Sequence, residues 1–253
     1  MPDAPVLDAA RADAGAAAVA AGVSIAQVAE PTELDVLRAT MESIWGPEIV
    51  PPRNLLRGLA LGGACLLVAR RVDDDAPIGF ALGWLGWNGG VHFHSHQVGV
   101  AAGGRGAGVG YALKLAQRVL CLEHGIAEMR WTFDPMLLSN ARFNFGRLGA
   151  TPVAFIEHCY GDRRDAFNTG ERTDRLEVSW RLDAPLTGTA VAAPAGGDRW
   201  IEVPVDYTAL RLADRAATDA ARASVSAALR DSFACGAEVT LGDGGYVIRG
   251  GAS

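Results

Sequence analysis

The chain has 253 residues, enough for one or two domains. Hydrophobic residues make up 49% and charged residues 21%, so a sizeable core can form and the chain is not disordered overall. The net charge is −6, which argues against a nucleic-acid face, and no run of Lys and Arg suggests a membrane-surface patch.

Four cysteines, Cys65, Cys121, Cys159 and Cys235, form no C-x-x-C pair, so buried reduced thiols are expected rather than a zinc or dithiol site. The first residues carry early acid and no basic run, so no signal peptide is read there. The longest uncharged apolar stretch, 58–69, is too short to span a bilayer. A cytoplasmic location is the expectation.

Residues 1–22 are alanine-rich and aperiodic, and read as a tail or a weak helix. Residues 24–29 suggest a first strand. Thr32 is the expected N-cap of a helix whose apolar positions Leu34, Leu37, Met41, Ile44 and Trp45 recur at helical spacing. A short helix near Leu55 follows Pro51 and Pro52. Three strand-like runs, 64–69, 77–84 and 91–100, are separated by polar turns and predict an antiparallel meander. The third feeds the turn AAGGRGAGVG (101–110), then a helix with Val109, Leu113, Ala116 and Leu120 in one stripe, ended by Gly125. Met129, Trp131 and Phe133 alternate along a strand. Ser139 or Asn140 is expected to cap a short helix through Leu148. Strands at 153–160 and 176–182 complete a domain at 23–182. A Pro/Gly/Ala linker covers 183–198. The extension 199–253 reads as a strand, one helix over 207–232, and a hairpin around Gly242–Gly245. The expected class is α/β with a mixed, mostly antiparallel sheet flanked by helices and a C-terminal β-α-β-β appendage.

The glycine turn sits between a strand and a helix. Glycines let backbone approach a ligand, and the first helical N–H groups lack internal partners. Together they make an anion site, and Arg105 can add a charge-assisted contact. The spacing fails the dinucleotide G-x-G-x-x-G and the P-loop patterns. It fits R-x-x-G-x-G, as Arg105, Gly108 and Gly110. A pyrophosphate has the size and charge for that cradle. A plain strand-to-helix turn is the competing interpretation.

This run resembles motif A of the GNAT superfamily of N-acetyltransferases, whose loop holds the coenzyme A pyrophosphate. The resemblance covers about 23–182. The text SHQVGV…GRGAGVGYALKLAQR…WTFDP…SNARFNFGRLGA…TDRLEVSW is similar to a subgroup of predicted acetyltransferases that includes amino-acid N-succinyltransferase-like members. The resemblance implies an acetyl-CoA or other acyl-CoA co-substrate, no metal, and a small-molecule amine acceptor. It implies coenzyme contacts from the backbone of Val98, Gly99 and Val100 and from Arg105, Gly106, Ala107, Gly108, Val109 and Gly110. An amide near Val98 or Gly99 is the candidate oxyanion donor. Asn140 matches a family asparagine, although a helix-capping role fits it too. The family often carries a tyrosine acid four residues before the second-motif glycine. Phe145 stands there, and a phenyl ring donates no proton, so Tyr160 is the substitute candidate, or the thiolate leaves unaided.

His92, His94 and His96 alternate along one strand and are expected to share a face. His96 is the candidate base, because an imidazole accepts a proton at neutral pH. Arg175 is a candidate for a substrate carboxylate, and Asp134 or Asp174 for an amine. These acids also suit local ion pairs. Asp174 and Arg175 open the last core strand, just after a loop with Asp162, Asn168 and Gly170. Two other functions compete: a non-catalytic acyl-CoA-binding module, motivated by Phe145, and a metal-dependent hydrolase using His92, His94 and His96. The extension 199–253 either covers the substrate cleft or builds a homodimer.

Overall fold

The computed structural model describes residues 4–161, 164–165, 168–169 and 172–250. It divides into two compact units, the first holding residues up to Arg130 with Arg181–Ala184, the second most of the remainder.

In the first unit, α1 (Ala4–Ala20) is followed by β1 (Val23–Gln27), α2 (Pro31–Trp45), α3 (Arg53–Leu61), β2 (Cys65–Arg71), β3 (Pro77–Gly86), β4 (His92–Val100), α4 (Val109–Glu123) and the start of β5 (Glu128–Phe133). The sheet order is β1-β2-β3-β4-β5. The first four strands are antiparallel, as short polar turns dictate, and β5 lies parallel to β4. The apolar spacing of α2 places Leu34, Leu37 and Met41 against Leu66 and Val68 of β2, and Phe80 and Leu82 of β3. The α2 cap differs from expectation. Glu30 is the N-cap and shares a capping box with Glu33, while Thr32 lies inside the helix beside the Pro31 that starts it.

The opposite face of β3 meets α4. A Cβ at Gly79 would stand 3.1 Å from Val109 and 3.3 Å from Leu113, so glycine there sets the helix-to-strand distance. Residues Ala4–Ala20 are a helix, the second of the two alternatives read from sequence. Tertiary contacts hold it. Arg11 reaches Glu123 at 2.7 Å, and Asp13 accepts from the buried Arg118 at 3.1 Å.

In the second unit β5 runs out through Phe133. A short helix α5 (Leu138–Ala141) continues as a π-helical stretch, Arg142–Arg147. The N-cap is Leu137, without a side-chain cap, so Asn140 and Ser139 lie within the helix rather than capping it. β6 (Thr151–Ile156) comes next, followed in sequence by the two-residue strands β7 (Arg164–Asp165) and β8 (Asn168–Thr169) and then by β9 (Arg175–Arg181). The order is β5-β9-β6, with β6 and β9 antiparallel. The C-terminal part adds β10 (Arg199–Glu202), α6 (Tyr207–Ala213), α7 (Arg215–Ala234), β11 (Glu238–Gly242) and β12 (Gly245–Arg249), with sheet order β10-β12-β11. The single helix expected over 207–232 is two. Asp214 is extended at φ −146°, and its carboxylate caps α7 by accepting from Ala217 N–H at 2.9 Å. Among the described residues no helix is long and apolar enough to cross a membrane.

Candidate active site

The glycine turn is shaped by two left-handed positions. Gly106 has φ 81° and Gly108 φ 88°, a region costly for residues with a Cβ. Gly108 is the N-cap of α4, and Ala112 N–H donates to its carbonyl at 3.0 Å. The amides of Gly104, Arg105 and Ala107 are used by local turns. Among the described residues, the amides of Gly106, Gly108, Val109 and Gly110 make no backbone hydrogen bond. The space beside Gly106 is open, with nothing within 4 Å of where a Cβ would stand. Four donors at a helix N-terminus beside open space fit a pyrophosphate. The Arg105 Nε leans back on the Val100 carbonyl at 3.4 Å.

The strand entering this turn carries a β-bulge. Gly83 pairs with Ser95 and Leu82 with Gln97, so His96 has no counterpart on β3. Successive residues of an antiparallel strand point their amides to opposite edges. One of Val98 and Gly99, which pair with Ala81 and Phe80, therefore aims its N–H away from β3. From Ser95 to Val100, β3 is the only strand partner of β4 among the described residues.

The two faces of β4 differ sharply. Ser95 points towards α4, buried, and its hydroxyl donates to Gln117 Oε1 at 2.8 Å and accepts from Lys114 Nζ at 2.8 Å. Desolvation holds the Lys114 amine well below the usual lysine range. The same burial pushes the Cys65 thiol up to about 12 and raises Cys121. Both are buried free thiols, as expected, whereas Cys235 is exposed.

The other face of β4 gathers rings. Trp84 of β3 pairs with His94, and its ring lies 5.5 Å from the His94 ring and 4.9 Å from the His96 ring. The two imidazoles are 5.9 Å apart. Burial, reinforced by the neighbouring His96, His92 and Lys114, holds His94 down to about 4, so it is neutral at pH 7. His92 is buried, and its Nδ1 stands 2.9 Å from the Gly90 carbonyl, bracing the β3–β4 turn. Among the described residues, no group of three His, Cys, Asp or Glu side chains is placed to hold a metal ion. Gln97 is the residue that sequence reading passed over. Its Oε1 is buried and accepts no hydrogen bond. Strand alternation carries no signal for a bulge, and the bulge is what turns Gln97 onto the histidine face.

The remaining candidates lie in the second unit. Tyr160 is 37% exposed, its hydroxyl is 3.2 Å from Thr132 Oγ1, and the Arg175 guanidinium stands over its ring at 5.4 Å. Asp134 is held by Arg222 at 2.7 Å and approached by Arg175 at 3.9 Å. Asp174 is fully buried, accepting from Ser226 Oγ at 2.6 Å and His158 N–H at 2.9 Å, and those bonds with the Arg172 cation outweigh burial and keep its carboxyl low. Arg175 Nη1 also donates to the Asp174 carbonyl at 2.9 Å. Asn140 is exposed on α5. Asp162 and Gly170 lie outside the described residues. Phe145 is buried in an edge-to-face stack between Phe133, at 5.8 Å, and Tyr246, at 6.4 Å.

No protein-family model matches the sequence, and no curated protein matches it. Solved structures do. The NatC complex bound to Gag peptide and CoA matches at 11% identity, over 63% of this chain and 98% of that one, with TM-score 0.50. A protein assigned to the GNAT family of acetyltransferases from Desulfovibrio desulfuricans matches at 16% identity over 63% and 99% (TM-score 0.49). The ribosomal-protein-S18-alanine N-acetyltransferase of Escherichia coli matches at 11% identity over 68% and 99% (TM-score 0.49). At such identities the likeness is one of fold: a mixed, mostly antiparallel sheet flanked by helices, shared with the NatC structure.

Proposed function

We propose that the chain is an acyl-CoA-dependent N-acyltransferase that moves an acetyl or succinyl group to the amine of a small molecule, an amino acid, by direct transfer in a ternary complex. The observation that carries this reading is the set of unengaged amides at Gly106, Gly108, Val109 and Gly110 beside open space. The coenzyme, when bound, supplies an acyl thioester. The turn 105–110 holds its diphosphate, with Arg105 free to swing from a weak 3.4 Å contact onto a phosphate.

The chain's own groups then meet two demands. An amine whose pKa lies two units above ambient costs about 2.7 kcal/mol to deprotonate. The ammonium loses that proton to solvent, and His96, presented by the bulge, takes a second proton from the attacking nitrogen as the new bond forms. The outward amide of Val98 or Gly99 donates to the oxygen on which charge develops. The new N–C bond forms as the C–S bond breaks, and the thiolate is protonated by Tyr160 or by water. Phe145 is packed among aromatic rings and donates nothing. Asn140 is a further coenzyme contact in this reading. Arg175 is the candidate for an acceptor carboxylate. Asp134 and Asp174 would reach an amine only by giving up their present partners.

The first experiment is calorimetry with coenzyme A, followed by a thiol-release screen of acetyl- and succinyl-CoA against L- and D-amino acids. Gly108→Asp is expected to weaken coenzyme A at least 100-fold, about 2.7 kcal/mol, because a carboxylate enters the cradle. Gly108→Ala is the control: its Cβ would meet only Ala21, at 3.8 Å, and its left-handed φ costs about 1 kcal/mol of stability while binding survives. Unchanged affinity in Gly108→Asp would remove the basis of the assignment. Tight binding with no turnover across the panel would select the non-catalytic binding module, the reading that Phe145 favours.

A further inference from the structure

Among the described residues four side chains bury a polar atom with no hydrogen-bond partner, and Gln97 Oε1 is the only acceptor among them. An acceptor left unmet in a protein interior is destabilising, so such an atom on a strand that borders a reaction site asks what it is for. Register places it. Gln97 pairs with Leu82, and cross-strand partners share a face. Leu82 belongs to the core against α2 and α3, with Trp84 at its margin. Trp84 in turn pairs with His94 and touches the ring of His96. The bulge therefore sets His94, His96 and Gln97 on one face, with the Trp84 indole against the two imidazoles.

We propose that Gln97 Oε1 positions the acceptor by taking a hydrogen bond from a primary amine, and so selects primary over secondary amines. This rests on the transferase reading given above. A neutral primary amine has two N–H bonds and one lone pair. One hydrogen is surrendered to His96 as the N–C bond forms and the C–S bond breaks. The other donates to Gln97 Oε1, which leaves the lone pair directed at the thioester carbon. A secondary amine has one hydrogen, spends it on the base, and leaves the Gln97 oxygen unmet. Discrimination by an unmet buried group is stronger than discrimination by a missing methyl.

The test compares the best amino acid from the thiol-release screen with its N-methyl derivative, in wild type, Gln97→Met and Gln97→Glu. In Gln97→Met the KM for the primary amine is expected to rise about tenfold, its advantage over the N-methyl amine to collapse, and the KM for the acyl-CoA to stay unchanged. Its Tm is expected to hold or rise, because an unmet acceptor has been replaced by thioether. Gln97→Glu keeps an acceptor and is expected to retain the preference for the primary amine. An unchanged primary-to-N-methyl ratio in Gln97→Met overturns the inference, whatever happens to its Tm. Wild type that binds no coenzyme A, or releases no thiol with any amine, overturns the transferase reading and this inference with it. Normal wild-type turnover with an indifferent Gln97 overturns this inference alone.

Discussion

His94 shows how far one side chain is set by its surroundings. Its pKa is depressed to about 4, against about 6.5 in an unfolded chain. Between those values the unfolded state binds more protons, so stability rises with pH through that window. The contribution is complete above pH 6.5 and is lost as the pH falls to 4. Because the ring is only half-buried, solvent screening cuts the effect to about 1–2 kcal/mol. Urea unfolding at pH 4.5 and 7 should show wild type losing that amount relative to His94→Phe. Equal losses in the two proteins would mean that the ring is solvated. The alternation of histidines was plain in the sequence. The difference between His92, tied to a turn carbonyl, and His94, beside an indole, was not, because it depends on the β3 partner.

Helix α4 carries the conflict between a local pattern and a tertiary demand. Its apolar stripe was legible, yet Lys114, Gln117 and Arg118 are buried as well. The helix is covered on a second side by α1, through Arg11–Glu123 and Asp13–Arg118, and Arg118 further donates to the Leu182 carbonyl at 2.8 Å. Lys114 fills the interior, and desolvation there disfavours its charged form. Its folded pKa lies below the unfolded value near 10.5, so the native state binds fewer protons between the two and this residue costs stability as the pH falls. Lys114→Met conserves volume and should stabilise by about 1–2 kcal/mol at pH 7. That advantage should shrink as the pH is raised from 7 to 9, with the thiols cancelling because both proteins carry them. Paired urea melts at the two pH values check it. A destabilised variant would show instead that the Ser95 bond outweighs desolvation.

At the scale of the whole molecule, the second unit is closed by an ion pair and hydrogen bonds over long sequence distances. Asp134, just after β5, is gripped by Arg222 of α7, and Asp174, just before β9, by Ser226 one turn further on. Tyr246 of β12 donates to the Pro135 carbonyl at 2.7 Å, and burial raises its pKa above the usual tyrosine value. These bonds make residues 199–250 part of the unit that contains Asp134. Arg222→Leu leaves a carboxylate with one cation at 3.9 Å and should destabilise the protein by about 3 kcal/mol in urea unfolding. The double variant Arg222→Leu with Asp134→Leu should recover most of that loss. Additive losses would assign the cost to packing rather than to the stranded charge.

The sequence by itself determined what depends on neighbours along the chain. Periodicity set the α2 and α4 stripes, polar turns set the meander, and glycines at 106 and 108 set a left-handed bend before a helix. The meander and the open turn before α4 follow from those. Tertiary structure alone decided the rest. The bulge at His96 exists only against β3, and it turns Gln97 onto the ring-bearing face. Ala4–Ala20 is a helix because α4 receives it. Asp134 and Asp174 meet partners 88 and 52 positions away, a distance at which no local pattern can announce a hydrogen bond.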